Sequence, residues 1–201
     1  MKLLVADIGG TNARFGYQKN KESEIEHIEF FNCVDFKNID HAILHYISKN
    51  QLVVDHLSLS IAGPCEDILI KFTNNHWFFK KNELLKKIGC NSLLAVNDFA
   101  AQGLGFTSFF KNNLNFLDKE VLKDHKLYLL KSGKIIDNSN VLITGPGTGL
   151  GVGTLLFHDN GLLPIQGEGG NVNFSPATKL EIDLLKWLAD RMNYVPTEEV
   201  L

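Results

Sequence analysis

"LLVADIGGTNARFGY", residues 3–17, decides the fold. An apolar run of buried-strand character ends at Asp7. Gly9, Gly10, Thr11 and Asn12 follow, and from Ala13 the chain turns apolar again. A G-x-G-x-x-G turn would open a helix and hold a dinucleotide, and a G-x-x-x-x-G-K-[ST] loop would wrap a phosphate. Neither spacing occurs here. A second strand follows at once, so the pattern predicts a hairpin. Such a hairpin can still take phosphate, because glycines let backbone N–H groups face an anion with no side chain in the way. Thr11 and Asn12 add donors, and Asp7 can hold a magnesium ion directly or through water. A plain β-hairpin with turn glycines accounts for the same residues.

The design recurs at "TGPGTGLGVG", residues 144–153, as strand, glycine turn with Thr148, and strand. Two such loops suit a grip on both ends of a phosphate chain, although Gly-Pro-Gly turns also serve purely structural hairpins. In "VNDFAAQ", residues 96–102, Asp98 closes a buried strand. Open α/β sheets bind their ligands at that end of a strand. A carboxylate there can take a proton from a hydroxyl nucleophile. Asn97 can hydrogen-bond a sugar hydroxyl or the aspartate. Asn and Asp are also the favoured helix caps, and the two roles are compatible. In "GEGGNVNF", residues 167–174, Glu168 stands among glycines with Asn171 and Asn173 nearby. These donors and acceptors around a flexible turn suit a polyol, and an ordinary polar loop fits them too.

Outward from these motifs, "EIEHIEFF" alternates as a third strand, with "NKES", residues 20–23, as the turn before it. "NIDHAILHYISKN" has helical spacing. "HLSLSIAG" and "DILIKFTN" read as strands, and "KNELLKKIG" as a helix stopped by Gly89. "FAAQGLGF" continues as helix, and residues 108–140 read as a long connection with some strand. "TKLEIDLLKWLADRM" is an amphipathic helix with Leu180, Leu184, Trp187 and Leu188 on one face. Val200 and Leu201 read as the start of another strand. The order argues for an α/β protein with mixed sheets, and a composition shift near 100–110 marks the expected domain boundary.

The 201 residues allow one large domain or two small ones and carry a formal net charge of −3. That charge gives no electrostatic case for nucleic acid or an anionic membrane. The apolar runs are too short to span a bilayer, and the N-terminus lacks a signal-peptide pattern, so a cytoplasmic protein is expected. Cys33, Cys65 and Cys90 form no C-x-x-C, which fits a reducing compartment and a role as small apolar fillers.

Together these motifs resemble the bacterial glucokinase family, within the sugar kinase–Hsp70–actin class of ATPases. "ADIGGTNARFG", "TNNHW" (residues 73–77), "NDFAAQG", "GPGTGLGVG" and "GEGGNV" stand in the family's order over most of the chain. The resemblance implies ribonuclease H-like mixed sheets with flanking helices in an actin-like two-domain architecture, with ATP and sugar in the cleft. Residues 1–105 would be the N-terminal ATPase domain with the first phosphate loop and the catalytic aspartate. Residues 106–201 would be the first part of a larger second domain. The activity implied is transfer of the ATP γ-phosphate to the 6-hydroxyl of glucose or a related hexose, the first step of glycolysis.

By the same resemblance, Asp98 is the general base. Asn97, Asp98, Glu168, Asn171 and Glu198 contact the sugar. Ala6, Asp7, Ile8, Gly9, Gly10, Thr11, Thr148 and Gly149 surround the ATP phosphates, with Mg²⁺ at Asp7. The family carries histidine where Asn171 stands, in E-G-G-H, and that histidine touches the sugar. Family members are about half as long again, by comparison with usual domain sizes. The chain is therefore expected to be truncated at its C-terminus, with an incomplete second domain, little of the adenosine pocket, and Leu184 and Trp187 exposed. A homodimer or a complementing C-terminal chain is a possible partner. The alternative reading is a non-catalytic sugar-binding or regulatory relative. A remnant without a ligand is a third, and the intact Asp7, Thr11, Asp98, Thr148 and Glu168 argue against it.

Overall fold

A computed structural model describes residues 1–201 except Glu66, 73–74, 112–127, 129, 132, 134–138, 147–148, 159–160, Gln166 and Leu201, with backbone alone at 106–111 and 161–162. The chain forms two compact units, Met1–Ala101 and Gln102–Leu201.

The first unit is built on a five-stranded sheet. β1 (Leu3–Ile8) and β2 (Asn12–Gln18) form the hairpin, and β3 (Glu26–Asn32) extends it antiparallel. β4 (His56–Ile61) and β7 (Ser92–Asn97) lie parallel to β1 on its other side, in the order β3-β2-β1-β4-β7. The parallel connections carry helices, as crossovers require. α1 (Ile39–Lys49) has Ile39, Ala42, Ile43 and Tyr46 fully buried in one cluster with Leu4, Ile8, Phe15, Leu57 and Leu59 of the sheet. Asn38 caps its start by accepting the Ile39 N–H.

A two-stranded ribbon, β5 (Leu69–Lys71) with β6 (Phe78–Lys80), precedes α2 (Lys81–Ile88). Gly89 ends that helix in the left-handed region at φ 78°, which explains why glycine stops it. α3 (Asp98–Lys111) starts where β7 ends. It runs past the expected "FAAQGLGF" into the 108–140 connection, and most of the remainder of that connection lies outside the described residues.

β3 corrects the simple alternation read from its sequence. Ile28 and Phe30 face outward, while Glu29 and Phe31 face inward. The inward carboxylate is tolerated because Lys49 Nζ, at 2.7 Å, and Asn50 Nδ2, at 2.9 Å, both donate to it. Outside, the Arg14 guanidinium sits 4.7 Å from the Phe30 ring centroid, a cation–π contact on a ring that stays largely exposed.

The second unit has an antiparallel sheet of β8 (Val141–Pro146), β9 (Leu150–His158) and β10 (Gly161–Ile165), in the order β10-β9-β8. β10 is a strand that the sequence reading did not anticipate. α4 (Lys179–Ala189) begins with a capping box, Thr178 with Glu181. Its apolar side is open: Leu184 is 37% and Trp187 54% exposed, as expected for this helix. Val200 is not strand. It follows the 3₁₀ turn Thr197–Glu199 at φ −95°, ψ −14°, because that turn holds its N–H on the Thr197 carbonyl.

Candidate functional site

In the first unit, parallel register brings three strand ends together. Asp7 of β1 is level with Ser60 of β4, and Ile61 is level with Asn97 of β7. Ser60 Oγ donates to Asp7 Oδ1 at 3.1 Å. That leaves the exposed Asp7 carboxylate one oxygen outside this bond. Sequence reasoning passed over Ser60. The signal was there in "HLSLSIAG", where the serines alternate with buried leucines and the last stands at the strand's C-terminal end.

Asn97 is buried, and its amide is used on both sides. Oδ1 accepts the N–H groups of Phe99 (3.0 Å) and Ala100 (3.2 Å), capping α3, and Nδ2 reaches the Gly63 carbonyl at 3.5 Å. Gly63 has φ 145°, a region that needs glycine. Asp98, next along, is half-buried. Burial pushes its carboxyl pKa above the ordinary value. The Phe99 N–H, accepted at 2.9 Å, pulls it down, and the Asp7 charge pushes it up again, so the net direction is upward.

The glycine hairpin closes through the Gly9 N–H on the Asn12 carbonyl, 2.9 Å. Ala6 and Ile8 are buried in the core beneath it, and Gly10 and Thr11 lie toward the surface. Gly9 has no positive φ, and a Cβ there would meet only the Asn12 carbonyl at 3.6 Å. Among the described residues nothing demands glycine at this position, so the missing side chain leaves room for approach from outside.

The second unit gathers another set. A 3₁₀ turn, Gly169–Asn171, lies across β9. These glycines are packed rather than flexible. A Cβ on Gly169 would meet Val152 at 2.8 Å, and one on Gly170 would run into the Leu150 carbonyl. Segment 194–198 locks the loop: Phe174 N–H bonds to the Val195 carbonyl (2.9 Å) and Thr197 N–H to the Val172 carbonyl (2.8 Å). Tyr194 hydroxyl donates to Asn171 Oδ1 at 2.6 Å and contacts the Asn171 carbonyl. Glu198 Oε2 accepts the Leu150 N–H at 3.2 Å beside Gly149. Glu168 is exposed at the start of the turn. Gly149, Leu150, Asn171 and Glu198 therefore belong to one neighbourhood, with Glu168 on its border. Thr148 lies outside the described residues. Tyr194 was not singled out from the sequence, where a lone tyrosine before "VPTEE" carries no signal.

Among the described residues, no cluster of three or more His, Cys, Asp or Glu could hold a metal by itself. A single carboxylate such as Asp7 still fits magnesium, which keeps several waters and takes its other ligands from substrate phosphates. The three cysteines form no disulfide, and Cys33 and Cys65 are buried. No helix among the described residues is long and apolar enough to cross a membrane.

The mixed sheets with flanking helices are those of an actin-like sugar kinase. The glucokinase family model matches residues 4–201, and the chain belongs to the glucokinase family. Glucokinase from Hahella chejuensis is 35% identical over 199 residues, which are 98% of this chain and 58% of that protein. The chain thus spans little more than half the length of the curated relatives it matches. Glucokinase from an Antarctic psychrotroph superposes with a TM-score of 0.72 at 30% identity, covering 98% of this chain and 59% of that one. The glucose complex of Balamuthia mandrillaris glucokinase has the same fold, with a TM-score of 0.70 at 18% identity over 98% of this chain and 58% of that one.

Proposed function

We propose that this chain carries the phosphate-binding hairpins and the sugar-binding residues of an ATP-dependent glucokinase. The first unit serves as the N-terminal domain and the second as the opening part of the larger domain. The observation that carries the reading is Asp98. It stands at the C-terminal end of a parallel strand, half-buried, with its pKa raised toward the range useful to a base.

In this reading Asp98 takes the proton from the sugar 6-hydroxyl. The oxygen bonds the γ-phosphorus of ATP, the bond from that phosphorus to the β–γ bridging oxygen breaks, and ADP leaves. Asn97 keeps Asp98 at the helix start. Glu168, Asn171 and Glu198 orient hexose hydroxyls, and residues 6–11 with Thr148 and Gly149 hold phosphate oxygens. Magnesium would arrive with ATP, be held through Asp7, and neutralise phosphate charge. Catalysis is then mainly positioning and electrostatics, as in phosphoryl transfer generally.

The test compares the chain with Asp98→Asn in two assays, glucose binding and glucose phosphorylation by Mg-ATP. The expected result is glucose binding in both and turnover reduced about 10²- to 10⁴-fold in the variant, the usual size of a general-base effect. Glucose binding without turnover in either protein would favour the non-catalytic sugar-binding reading. That reading draws on Asn171, which stands where the resemblance implies a histidine that touches the sugar. No glucose binding in either would refute both.

A further inference from the structure

"TNNHW", residues 73–77, is the one motif without a part in the proposed reaction. Its tryptophan is an anchor. Trp77 is 1% exposed, and its Nε1 donates to the Phe36 carbonyl at 3.1 Å. Two residues earlier, Asn75 uses both ends of its amide. Oδ1 accepts the Trp77 backbone N–H at 3.0 Å, and Nδ2 donates to the Gly9 carbonyl at 3.3 Å, across 66 residues of sequence. The orientation of this amide is chemically determined. A backbone N–H can only donate and a carbonyl can only accept, so a flipped amide would satisfy neither.

The Gly9 carbonyl belongs to the same planar peptide unit as the Gly10 N–H. In a trans peptide the two point in opposite directions; among the described residues there are no cis bonds. Holding that carbonyl toward Asn75 therefore turns the Gly10 N–H away from Asn75. Beside it, Cys33 N–H holds the Thr11 carbonyl at 2.8 Å, and Cys33 Sγ lies 4.0 Å from the Gly9 carbonyl. The turn is clamped at residues 9 and 11 by two separate elements of the fold, with Gly10 between them.

We infer that Asn75 is a positioning residue for the first glycine hairpin: by holding the Gly9 carbonyl, it aims the Gly10 N–H at a phosphate oxygen. The inference rests on the phosphate-binding role proposed above. Asn75 does not itself contact the anion.

Asn75→Asp and Asn75→Ala separate this role from a merely local one. Aspartate keeps the oxygen that accepts the Trp77 N–H but faces the Gly9 carbonyl with a second oxygen, while alanine loses both bonds. The free protein is read by the amide shift and hydrogen exchange of Gly10. Binding is read by titration with inorganic tripolyphosphate at two salt concentrations, which exposes any effect of the added charge. The expected result is a displaced, faster-exchanging Gly10 amide in both variants. Tripolyphosphate affinity should fall about 3- to 10-fold, the worth of one hydrogen bond, and in the alanine variant the fall should be the same at both salts. A Gly10 amide unmoved in Asn75→Asp overturns the inference, since Asn75 then serves only its own turn. So does a displaced amide with unchanged affinity. A wild-type chain that binds no tripolyphosphate removes the phosphate reading instead, and the Gly10 amide still decides whether Asn75 sets the hairpin.

Discussion

Glu198 lays its carboxylate on the backbone N–H of Leu150, 3.2 Å away, and does so over a glycine. A Cβ on Gly149 would overlap Glu198 Oε2. The obstructing atom is the end of a flexible side chain, so Gly149→Ala should displace the carboxylate rather than unfold the loop. If Glu198 orients a sugar hydroxyl from this position, Gly149→Ala and Glu198→Gln should each weaken glucose binding, about 3- to 10-fold for one hydrogen bond. Thermal melting should stay near that of the parent. Calorimetric titration with glucose beside a melting curve checks both statements.

Gly170 is a different case. Its added Cβ would meet the Leu150 carbonyl, which is backbone at the start of β9, paired there with Pro146 of β8, and not the end of a flexible side chain. Gly170→Ala should therefore cost stability, about 1–3 kcal/mol as overpacking usually does. It should also disturb Glu168 and Asn171, the residues proposed above to contact the sugar. Urea unfolding followed by circular dichroism measures the loss. A variant as stable as the parent would show that the turn does not lie against β9.

The role proposed for Asp98 works against stability. Its folded pKa lies above the ordinary carboxylate value, so ionisation is less favourable in the fold than in the unfolded chain. The sign is opposite to that of a salt-bridged carboxylate. The penalty begins as pH rises through the unfolded pKa and is complete above the folded one. Asp98→Asn keeps an acceptor for the Phe99 N–H and removes the charge beside Asp7. The variant should melt higher than the parent at neutral pH, and the difference should vanish at acid pH. Equal melting temperatures at both would show that burial and Asp7 do not burden this group.

How far all this was legible in the sequence depends on what each residue answers to. The β1–β2 hairpin, α1 and the Asn97–Asp98 strand end follow from local patterns: apolar runs, 3.6-residue spacing and capping chemistry. Gly89 was readable as a stop because a left-handed φ needs glycine. The inward Glu29 was not readable, since it depends on Lys49 and Asn50 arriving from another helix end. Nor were the Ser60–Asp7 and Asn75–Gly9 bonds, each joining residues more than 50 positions apart. The glycines of "GEGG" read as flexibility, although two of them are glycine because β9 leaves no room for a Cβ. Sequence gives a residue type, while the reason for the type is often a distant backbone.

Asp40 gives the conventional pH dependence. It is buried in the first turn of α1, and Lys87 Nζ donates to its Oδ2 at 2.8 Å, while Oδ1 is buried without a hydrogen-bond partner. Burial alone would raise its pKa. The Lys87 hydrogen bond and charge, with His41 and its own backbone N–H, outweigh that and hold it below the ordinary carboxylate value. A depressed folded pKa means stability that is fully present above the unfolded pKa, about 3.9, and is lost as pH falls through the folded one. Lys87→Met should remove that part of the acid dependence and lower the melting temperature at neutral pH, because the carboxylate stays buried without its cation. Melting curves from pH 2.5 to pH 7 for parent and variant test it.

The open side of α4 yields a prediction of no change. Leu180, Ile182, Leu184 and Trp187 are all exposed, and none of the helix's residues is buried. Its start is nevertheless secured by Thr178 Oγ1 on the Glu181 N–H (3.2 Å) and by the Glu181 carboxylate on the Thr178 N–H (3.0 Å). Near its end, the Arg191 guanidinium stacks 3.8 Å from the Trp187 ring centroid, an interaction that partly shields the indole. Short helices in water are marginal without a packed face, so the capping box matters here more than burial. Leu184→Lys should then leave stability within about 0.5 kcal/mol, as at other exposed positions. Thr178→Ala should loosen the helix by about 1 kcal/mol through the lost cap. Hydrogen exchange of the α4 amides distinguishes the two. Strong destabilisation by Leu184→Lys would mean that the face is covered in solution.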